Sequence, residues 1–426
     1  MSQPDAPSHP PLQAKTLTDA APAGPTREVE RIAVLDVLRG FALLGIFCVN
    51  IHLFALPIAW AYYPADLDPD DQWSRLSLFL VEMLCEYKFV SLFSLLFGAG
   101  FAILLERLAA RNASVKVYYR RLFVLGIFGL LHGLLFWWGD ILFLYAVIGC
   151  VLTLFRRTRP KTLVIFGAIA IIGSVLLFGA MSGLQLIMME SMQAQAEAVQ
   201  PTETPAEILP ADDSTPRWLS LLSQSKFNLV GDNWVELELI AYGEGPYYVT
   251  LLVRAIEFLF IAIMSLTLQG FGLRVLGMFL IGMALYRSGF FRGRGGPAPI
   301  LLVLIGLGPA LLAESLFATF MVSVDEEFSL AWILVEAGHQ FASAFLCLGY
   351  VGLFMLLIRL AWLEPVLYGL ACVGRLALTN YLMQTVIATT IMYWYGLGLY
   401  AQTNRWEQLV IVGLIFGFQI CFSIIW

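Results

Sequence analysis

Two polar side chains stand in the apolar run Leu35–Asn50, LDVLRGFALLGIFCVN, where a lipid-facing helix would carry neither. Arg39 and Asn50 are eleven residues apart, which is three helical turns with about 20° of drift, so both project from one face. A guanidinium at membrane depth costs roughly 2.5 to 3.5 kcal/mol, so this face must meet protein or water. The pattern indicates a functional site. The alternative is that Arg39, only about two turns inside the helix, extends to the nearby membrane surface.

His132, in the segment GLLHGLLFWWGD, is the second residue whose side chain could take part in a reaction. An imidazole titrates near neutrality and can accept and return a proton, so His132 is predicted to act as a general base or a transient acyl carrier. Asp140 lies eight residues further on, past a glycine, so the spacing does not establish a contact between the two. The alternatives are a structural histidine bonded to a neighbouring helix and a solvated turn carboxylate.

Further polar groups lie in apolar segments near the middle and the end of the chain. In GRLALTNYLMQ, Asn380 and Gln384 share one helix face at i, i+4, and Arg375 lies a turn and a half away. Lys88 begins another apolar span, and His52 follows Asn50. These residues are candidate substrate ligands. The alternatives are amides that hold helices together, an interfacial lysine and a histidine satisfied in the core.

Composition identifies the elements that must position these residues. The chain has 426 residues, 59% of them hydrophobic and only 13% charged, and its mean hydropathy is +0.80. These values predict an all-α, polytopic membrane helix bundle and exclude a soluble enzyme and a nucleic-acid-binding protein. The six cysteines are scattered through apolar stretches without a CxxC motif, so we expect neither disulfides nor a metal site.

Basic loops at Arg107–Arg121 and Arg156–Lys161, set against acidic loops elsewhere, predict about ten transmembrane helices with both ends cytosolic. The segment Tyr247–Gln269 is assigned to the outer surface, because a second crossing there would place Arg287 outside. No repeat and no clearly broken helix is evident. The predicted divisions are a disordered cytosolic tail (1–30), a five-helix half (31–182), an outer acidic loop with interfacial helices (183–270) and a second five-helix half (271–426).

Five runs together carry a resemblance to a known family: LDVLRGFALLGIFCVNI, KFVSLFSLLFGAGF, HGLLFWWGDILFLYA, LIGMALYRSGF and GRLALTNYLMQT. They resemble the YeiB-like bacterial inner-membrane proteins, catalogued as a domain of unknown function, over essentially all of Arg31 to Trp426. Members usually continue after the last span with a basic cytosolic stretch, so the resemblance implies that this chain is truncated at Trp426. It also implies a multi-pass protein of the bacterial inner membrane.

That family is similar in turn to transmembrane acyltransferases. In the type 3 proteins the first span carries Arg, ten residues and then His, whereas this chain has Asn50 at the histidine position. The lysosomal heparan glucosaminide N-acetyltransferase also has a first-span Asn, with a catalytic His further on the luminal side. The resemblance implies that His132, or else His52, plays that part here.

The function expected on this basis is transfer of an acyl group, preferably acetyl, from cytosolic acyl-CoA to a hydroxyl or amine at the outer face. The acceptor would be a small molecule, a glycan or a lipid. The donor phosphates would be held by Arg39, Arg120, Arg121 and Arg375, with His132, Asn50 and Asp140 as the catalytic residues. Asn380, Gln384, Lys88 and His52 would bind substrate. The alternatives are a transporter or flippase for a small amphiphile or lipid, and a sensor or scaffold without chemistry. A homo-oligomer is compatible with each of these functions.

Overall fold

The computed structural model describes residues 33–62, 71–198, 216–267, 270–323 and 328–426. Every regular element in these ranges is a helix, which confirms the all-α prediction. Eight of the described segments are long and apolar enough to cross a membrane, and a ninth is a bent helix pair. The predicted tail 1–30 lies outside the described residues.

The helices follow the chain in this order: α1 (Ala33–Ala55), α2 (Ile58–Tyr62), α3 (Gln72–Leu84), α4 (Lys88–Ala110), α5 (Lys116–Leu135), α6 (Leu142–Val151), α7 (Pro160–Ala198), α8 (Arg217–Ser225), α9 (Asp232–Glu238), α10 (Tyr247–Thr267), α11 (Phe271–Arg287), α12 (Ala298–Ile305), α13 (Leu311–Ser323), α14 (Leu330–Leu357), α15 (Glu364–Arg375), α16 (Ala377–Met392) and α17 (Arg405–Ile425). The ten predicted spans fall on these helices, but α5 and α6 are not among the segments long and apolar enough to cross, whereas α10 is.

The centre of the bundle is the close contact between α4 and α11. A Cβ atom on Gly98 would overlap the backbone carbonyl of Phe279, and one on Gly282 would overlap that of Leu95. Small residues at such a crossing let two helix backbones approach closely, and van der Waals packing then supplies the attraction that the hydrophobic effect does not supply in lipid. Gly98 of the LLFGAGF run thus serves close helix packing.

The two ends of the bundle differ in charge. We call the end that carries Arg156 and Arg287 the basic end, because Arg287 there donates to the carbonyl of Arg156 at 2.7 Å. We call the opposite end, where Tyr247 donates to the carbonyl of Leu135 at 3.0 Å, the distal end. The chain therefore passes from the distal end at Tyr247 to the basic end at Arg287. This route agrees with a single net crossing between those residues.

Two segments need comment against the sequence-based assignment. The segment assigned to the outer surface contains α10, a continuous helix of 21 residues that is long and apolar enough to cross a membrane. α7 runs for 39 residues to Ala198, well past the predicted end near Gly183. Most of the predicted acidic loop after Ala198 lies outside the described residues.

Two helices are broken, although the sequence shows no clear break. Between α3 and α4 the chain leaves helical geometry at Cys85–Tyr87, where Tyr87 adopts a left-handed φ of 56°. A bulky residue rarely takes this conformation, because its side chain crowds the backbone there. α15 and α16 meet at an angle of 83° around Leu376. Neither Pro nor Gly stands at Cys85–Tyr87 or at Leu376, so the sequence does not predict either break.

A layer of aromatic side chains closes the distal end, where Trp234, Tyr242, Tyr393 and Tyr400 are almost fully buried. Tyr242 stacks within 4.7 Å of Tyr393 and 5.3 Å of Tyr400, measured between ring centroids. Beneath this layer the carboxylate of Glu238 accepts from the backbone N–H of Ile58, 3.2 Å from either oxygen. This contact fixes the start of α2 beside the layer.

Candidate functional site

The described residues enclose a cavity of about 440 Å³ in the distal half of the bundle. α1 supplies Ile46, Asn50 and His52 to its wall, and the broken segment between α3 and α4 supplies Glu82 and Glu86. The sequence thus places charged, amide and imidazole groups around one space enclosed by apolar helices. A pocket with apolar walls and a few convergent polar groups is the usual form of a ligand site.

His52 is held in one tautomer at this wall. Its Nδ1 lies 2.5 Å from Oε1 of Gln408. The Gln408 amide cannot be reversed without loss, because its Nε2 donates to the carbonyl of Thr403 at 3.0 Å. Nδ1 therefore carries the proton, and Nε2 is left as a basic nitrogen. Nε2 is buried and has no hydrogen-bond partner among the described residues, in a side chain that lines the cavity.

Three further donors of cavity-lining residues lack a partner in the described part of the chain. They are the indole Nε1 of Trp137, the hydroxyl of Tyr381 and Nη1 of Arg405, and all three side chains are buried. Arg405 is anchored through its other nitrogen, Nη2, which donates to the carbonyl of Trp60 at 2.7 Å. A buried polar atom without a hydrogen bond is costly, so these donors are candidate contacts for a polar ligand.

Acidic residues also line the cavity. Glu82 lies on α3, Glu86 lies in the turn between α3 and α4, and Glu336 lies on α14, where Gln340 donates to it at 3.1 Å. The lining of the cavity therefore combines carboxyl groups, hydrogen-bond donors and an imidazole.

Lys88 lies behind the acidic wall and is not an interfacial anchor. Its Nζ forms an ion pair of 2.7 Å with Glu314, and both side chains are fully buried. The same carboxylate accepts from His339 Nδ1 at 2.6 Å, and Lys88 also donates to the carbonyl of Glu82 at 2.6 Å. Lys88 thus ties the chain break to α13 and α14 but does not line the cavity.

His132 and Asp140 are in direct contact, which their spacing alone did not establish. Nδ1 of His132 lies 2.8 Å from Oδ2 of Asp140, and Nε2 lies 2.9 Å from the hydroxyl of Thr385. Asp140 also accepts the backbone N–H of Phe143 at the start of α6. Hydroxyl, imidazole and carboxylate follow the order of a serine hydrolase triad, but of these three residues only Asp140 lines the cavity. The cluster joins the α5–α6 turn to α16.

Asn380 and Gln384 bind the neighbouring helix α17. Asn380 donates to the hydroxyl of Ser423 at 3.0 Å, and Gln384 donates to Gln419 at 2.9 Å. Neither lines the cavity. This geometry is that of amides holding two helices together, the alternative that the sequence left open.

The predicted donor-binding arginines lie away from the cavity. Arg39 pairs with Asp36 at 2.8 Å and is 29% exposed. Arg375, Arg120 and Arg121 are exposed. The lowest cavity residue on α1 is Ile46, seven residues from Arg39, which is about 10 Å along the axis. Between them the ring of Phe89 packs against Gly45 and closes the space.

Sequence reasoning missed several residues of this site, namely Glu82, Trp137, Gln340, Arg405 and Gln408. A usable signal exists for Gln408, which is eleven residues before Gln419 on α17, so the two amides share a helix face. No spacing rule joins Arg405 to His52, because their helices are far apart in the chain. Within the described ranges no group of His, Cys, Asp and Glu could hold a metal ion.

Comparisons with known proteins place the chain in a family. The family model described as "Protein of unknown function (DUF418)" matches residues 285–426. The chain is 31% identical over 407 residues to the uncharacterized protein YeiB of Escherichia coli (strain K12), covering 93% of this chain and 92% of that protein. It is 30% identical over 416 residues to the uncharacterized protein YxaH of Bacillus subtilis (strain 168), covering 94% and 91%. No solved structure matches. A relative of this identity over nearly its whole length means that the chain belongs to the YeiB-like, DUF418 family of membrane proteins.

Proposed function

We propose that this protein is a membrane acyltransferase of the bacterial inner membrane, with its reaction centre at His52 and Asn50. The observation that carries the proposal is the buried Nε2 of His52, which has no hydrogen-bond partner among the described residues and belongs to a side chain that lines the cavity, while Nδ1 is bonded to Gln408. Acyl transfer needs a base, donors for the developing oxyanion and exclusion of water. The cavity wall holds candidates for the first two, and its apolar surroundings favour the third.

The proposed step is as follows. Nε2 of His52 takes the proton of an acceptor hydroxyl or amine, whose oxygen or nitrogen then attacks the thioester carbonyl. The amide of Asn50 and the indole N–H of Trp137 stabilise the oxyanion. The tetrahedral intermediate collapses, the C–S bond breaks, and the imidazolium returns the proton to the leaving thiolate. The products are an ester or amide and a free thiol.

The acyl donor, acetyl-CoA or another acyl-CoA, is proposed to bind at the basic end. Arg39 and Arg375 lie at the same crossing of α1 and α15, where Gly374 packs on the backbone of Asp36. Arg120 and Arg121 add positive charge at the first turns of α5. The acyl arm would enter the cavity past Phe89, so that contact must open during the cycle.

The test is to supply radiolabelled acetyl-CoA to the purified chain and to measure binding and label transfer to acceptor lipids and glycans. We expect His52→Gln to lower transfer by at least a hundredfold, as loss of a general base does. Arg39→Ala should weaken donor binding and leave the acceptor site intact. His132→Ala tests the competing assignment of the base. Absence of saturable binding, or transfer indifferent to His52, His132 and Arg39 alike, would overturn the proposal.

A transporter or flippase is the second candidate, and the helix break favours it. Discontinuous helices beside buried charges are common at transporter binding sites, and here the break at Cys85–Tyr87 adjoins the Lys88–Glu314 pair. Uptake or flipping of a labelled amphiphile by proteoliposomes without any acyl donor would support this candidate. Acyl transfer by detergent-solubilised protein would favour the enzyme.

A further inference from the structure

We infer that the cavity binds a membrane amphiphile that carries a primary ammonium head group, and that this amphiphile is the acceptor. The head group would lie between Glu82, Glu86 and Glu336, and the apolar chain would leave sideways between α7, α10 and α14. Only the statement that this amphiphile is the acyl acceptor rests on the proposed function. The binding site is argued from the cavity itself.

The first step is the sideways branch of the cavity. Beyond the polar wall the lining continues with Phe178 of α7, with Phe260, Ala262 and Ser265 of α10, and with Trp332 of α14. α7 packs on α11 and α14, whereas α10 packs on α5 and α11, so residues of all three helices α7, α10 and α14 meet at this part of the lining. Phe260 is 38% exposed at the bundle surface, which is where lipid chains would surround it. An alkyl chain fits this branch and a free polar metabolite does not.

The second step is the charge at the inner end of that branch. Four acidic residues line the cavity, namely Glu82, Glu86, Glu336 and Asp140, and the one Lys or Arg on its wall among the described residues is Arg405. Asp140 is bonded to His132, and Lys88 is already paired with Glu314 behind the wall. The three N–H donors of an ammonium group would match the carboxyl oxygens of Glu82, Glu86 and Glu336, whereas an anionic head group would offer them no donor.

The third step is the set of unpartnered atoms beside the carboxylates. Nη1 of Arg405 and Nε1 of Trp137 are buried donors without an acceptor in the described chain, and Nε2 of His52 is a buried acceptor without a donor. Oxygen atoms next to the amine, in a phosphate or a sugar, would satisfy the two donors. His52 lies on the same wall and would take the proton that the amine must lose.

Acyl transfer to the ammonium group of this amphiphile conserves atoms and charge. The ammonium gives up two protons, its nitrogen forms the amide bond to the acyl carbon, and the C–S bond of the thioester breaks. One proton goes to the leaving thiolate and one is released to water. No oxidant, reductant or metal is required.

The experiment uses the full chain in nanodiscs of phosphatidylcholine that contain a trace of photoactivatable phosphatidylethanolamine. Labelling should map to peptides of α7 and α10. Unlabelled phosphatidylethanolamine should compete at least tenfold better than phosphatidylglycerol or phosphatidylcholine, which lack a primary ammonium. Soluble phosphoethanolamine should compete weakly, because it lacks the chain that fills the branch.

Variants separate the head group from the chain. Glu86→Gln should reduce specific labelling about tenfold, as loss of one charge-assisted hydrogen bond does, and Glu190→Gln, an exposed control on α7, should not. Ala262→Trp should block the branch, whereas Ile263→Trp, on the exposed side of α10, should leave labelling unchanged. Gel filtration and thermal unfolding confirm that each variant is folded, and Glu336→Gln replaces Glu86→Gln if the latter is not.

Equal competition by the three unlabelled lipids, or crosslinks that map away from α7 and α10, would overturn the inference. Failure of the proposed function is distinguishable, because labelling is measured without an acyl donor. Selective labelling with no acyl transfer would leave the site standing and remove the enzyme. Acyl transfer to soluble amines without lipid-selective labelling would support the enzyme and remove the lipid site.

Discussion

Lys88 Nζ and Glu314 Oε2 lie 2.7 Å apart with both side chains fully buried, and this pair joins the broken helix to α13. The attraction between two charges in a dry interior offsets the loss of their hydration only while both partners are present. The pair therefore does more to hold the break in one geometry than to stabilise the fold. Lys88 also donates to the carbonyl of Glu82, so this pair lies directly beside two of the acidic residues that line the cavity, Glu82 and Glu86.

Lys88→Met is expected to lower the free energy of unfolding by about 3 to 5 kcal/mol, because it leaves Glu314 buried without its cation. The double variant Lys88→Met with Glu314→Leu should recover much of that loss. Urea or thermal unfolding in detergent measures both. Arg217→Ala, which removes an exposed pair with Glu236, is the control and should change the value by no more than about 1 kcal/mol. A Lys88→Met protein as stable as the unmodified one would contradict this account.

Gly98→Ala should disrupt the α4–α11 contact, because the new Cβ would meet the backbone carbonyl of Phe279 rather than a movable side chain. The expected destabilisation is about 1 to 3 kcal/mol. Gly417→Ala on α17 is the matched control, since no atom lies within 4 Å of its new Cβ. That variant should be neutral or slightly more stable, as Ala favours helix over Gly. Thermal unfolding of the two variants side by side decides the point.

Sequence reasoning predicts much of the helical fold, because apolar runs and basic loops follow directly from the cost of exposing polar groups to lipid. It also finds Asn50, His52 and Asp140, three polar residues of the cavity wall. It does not predict the wall as a whole. Gln408 and Arg405 reach His52 from a helix some 350 residues away in the chain, and only tertiary packing brings them together. Neither Pro nor Gly stands at Tyr87, so the sequence gives no signal of the break there.

The pKa of the Glu238 carboxyl, in the distal layer outside the spanning helices, is raised well above its usual value of 4.5 by burial, with the nearby Glu257 carboxyl as the next cause. The folded protein thus keeps a proton that the unfolded chain has lost. Stability is therefore greatest at low pH and falls as the pH rises from about 4.5 towards the folded-state pKa. Glu238→Gln, which can still accept from Ile58, should flatten this dependence. Thermal unfolding across that range tests it, with exposed Glu244→Gln as the control that should keep the slope.

Gln408→Met is the sharpest test of His52, because it leaves the imidazole in place and removes only the acceptor that fixes its tautomer. Without Oε1 of Gln408 the proton can move to Nε2, and that nitrogen is then no longer available as the base. A misassigned tautomer in a serine protease lowers turnover by about 10⁴, so a loss of at least tenfold in acyl transfer is expected here. Gln419→Met removes a similar amide from the same helix but bonds α16 rather than His52, and it should affect stability more than transfer. The comparison is made on the ratio of the initial rate to the amount of folded protein. If Gln408→Met and Gln419→Met lose transfer equally, then Gln408 supports the helix packing alone, and the base must be sought at His132.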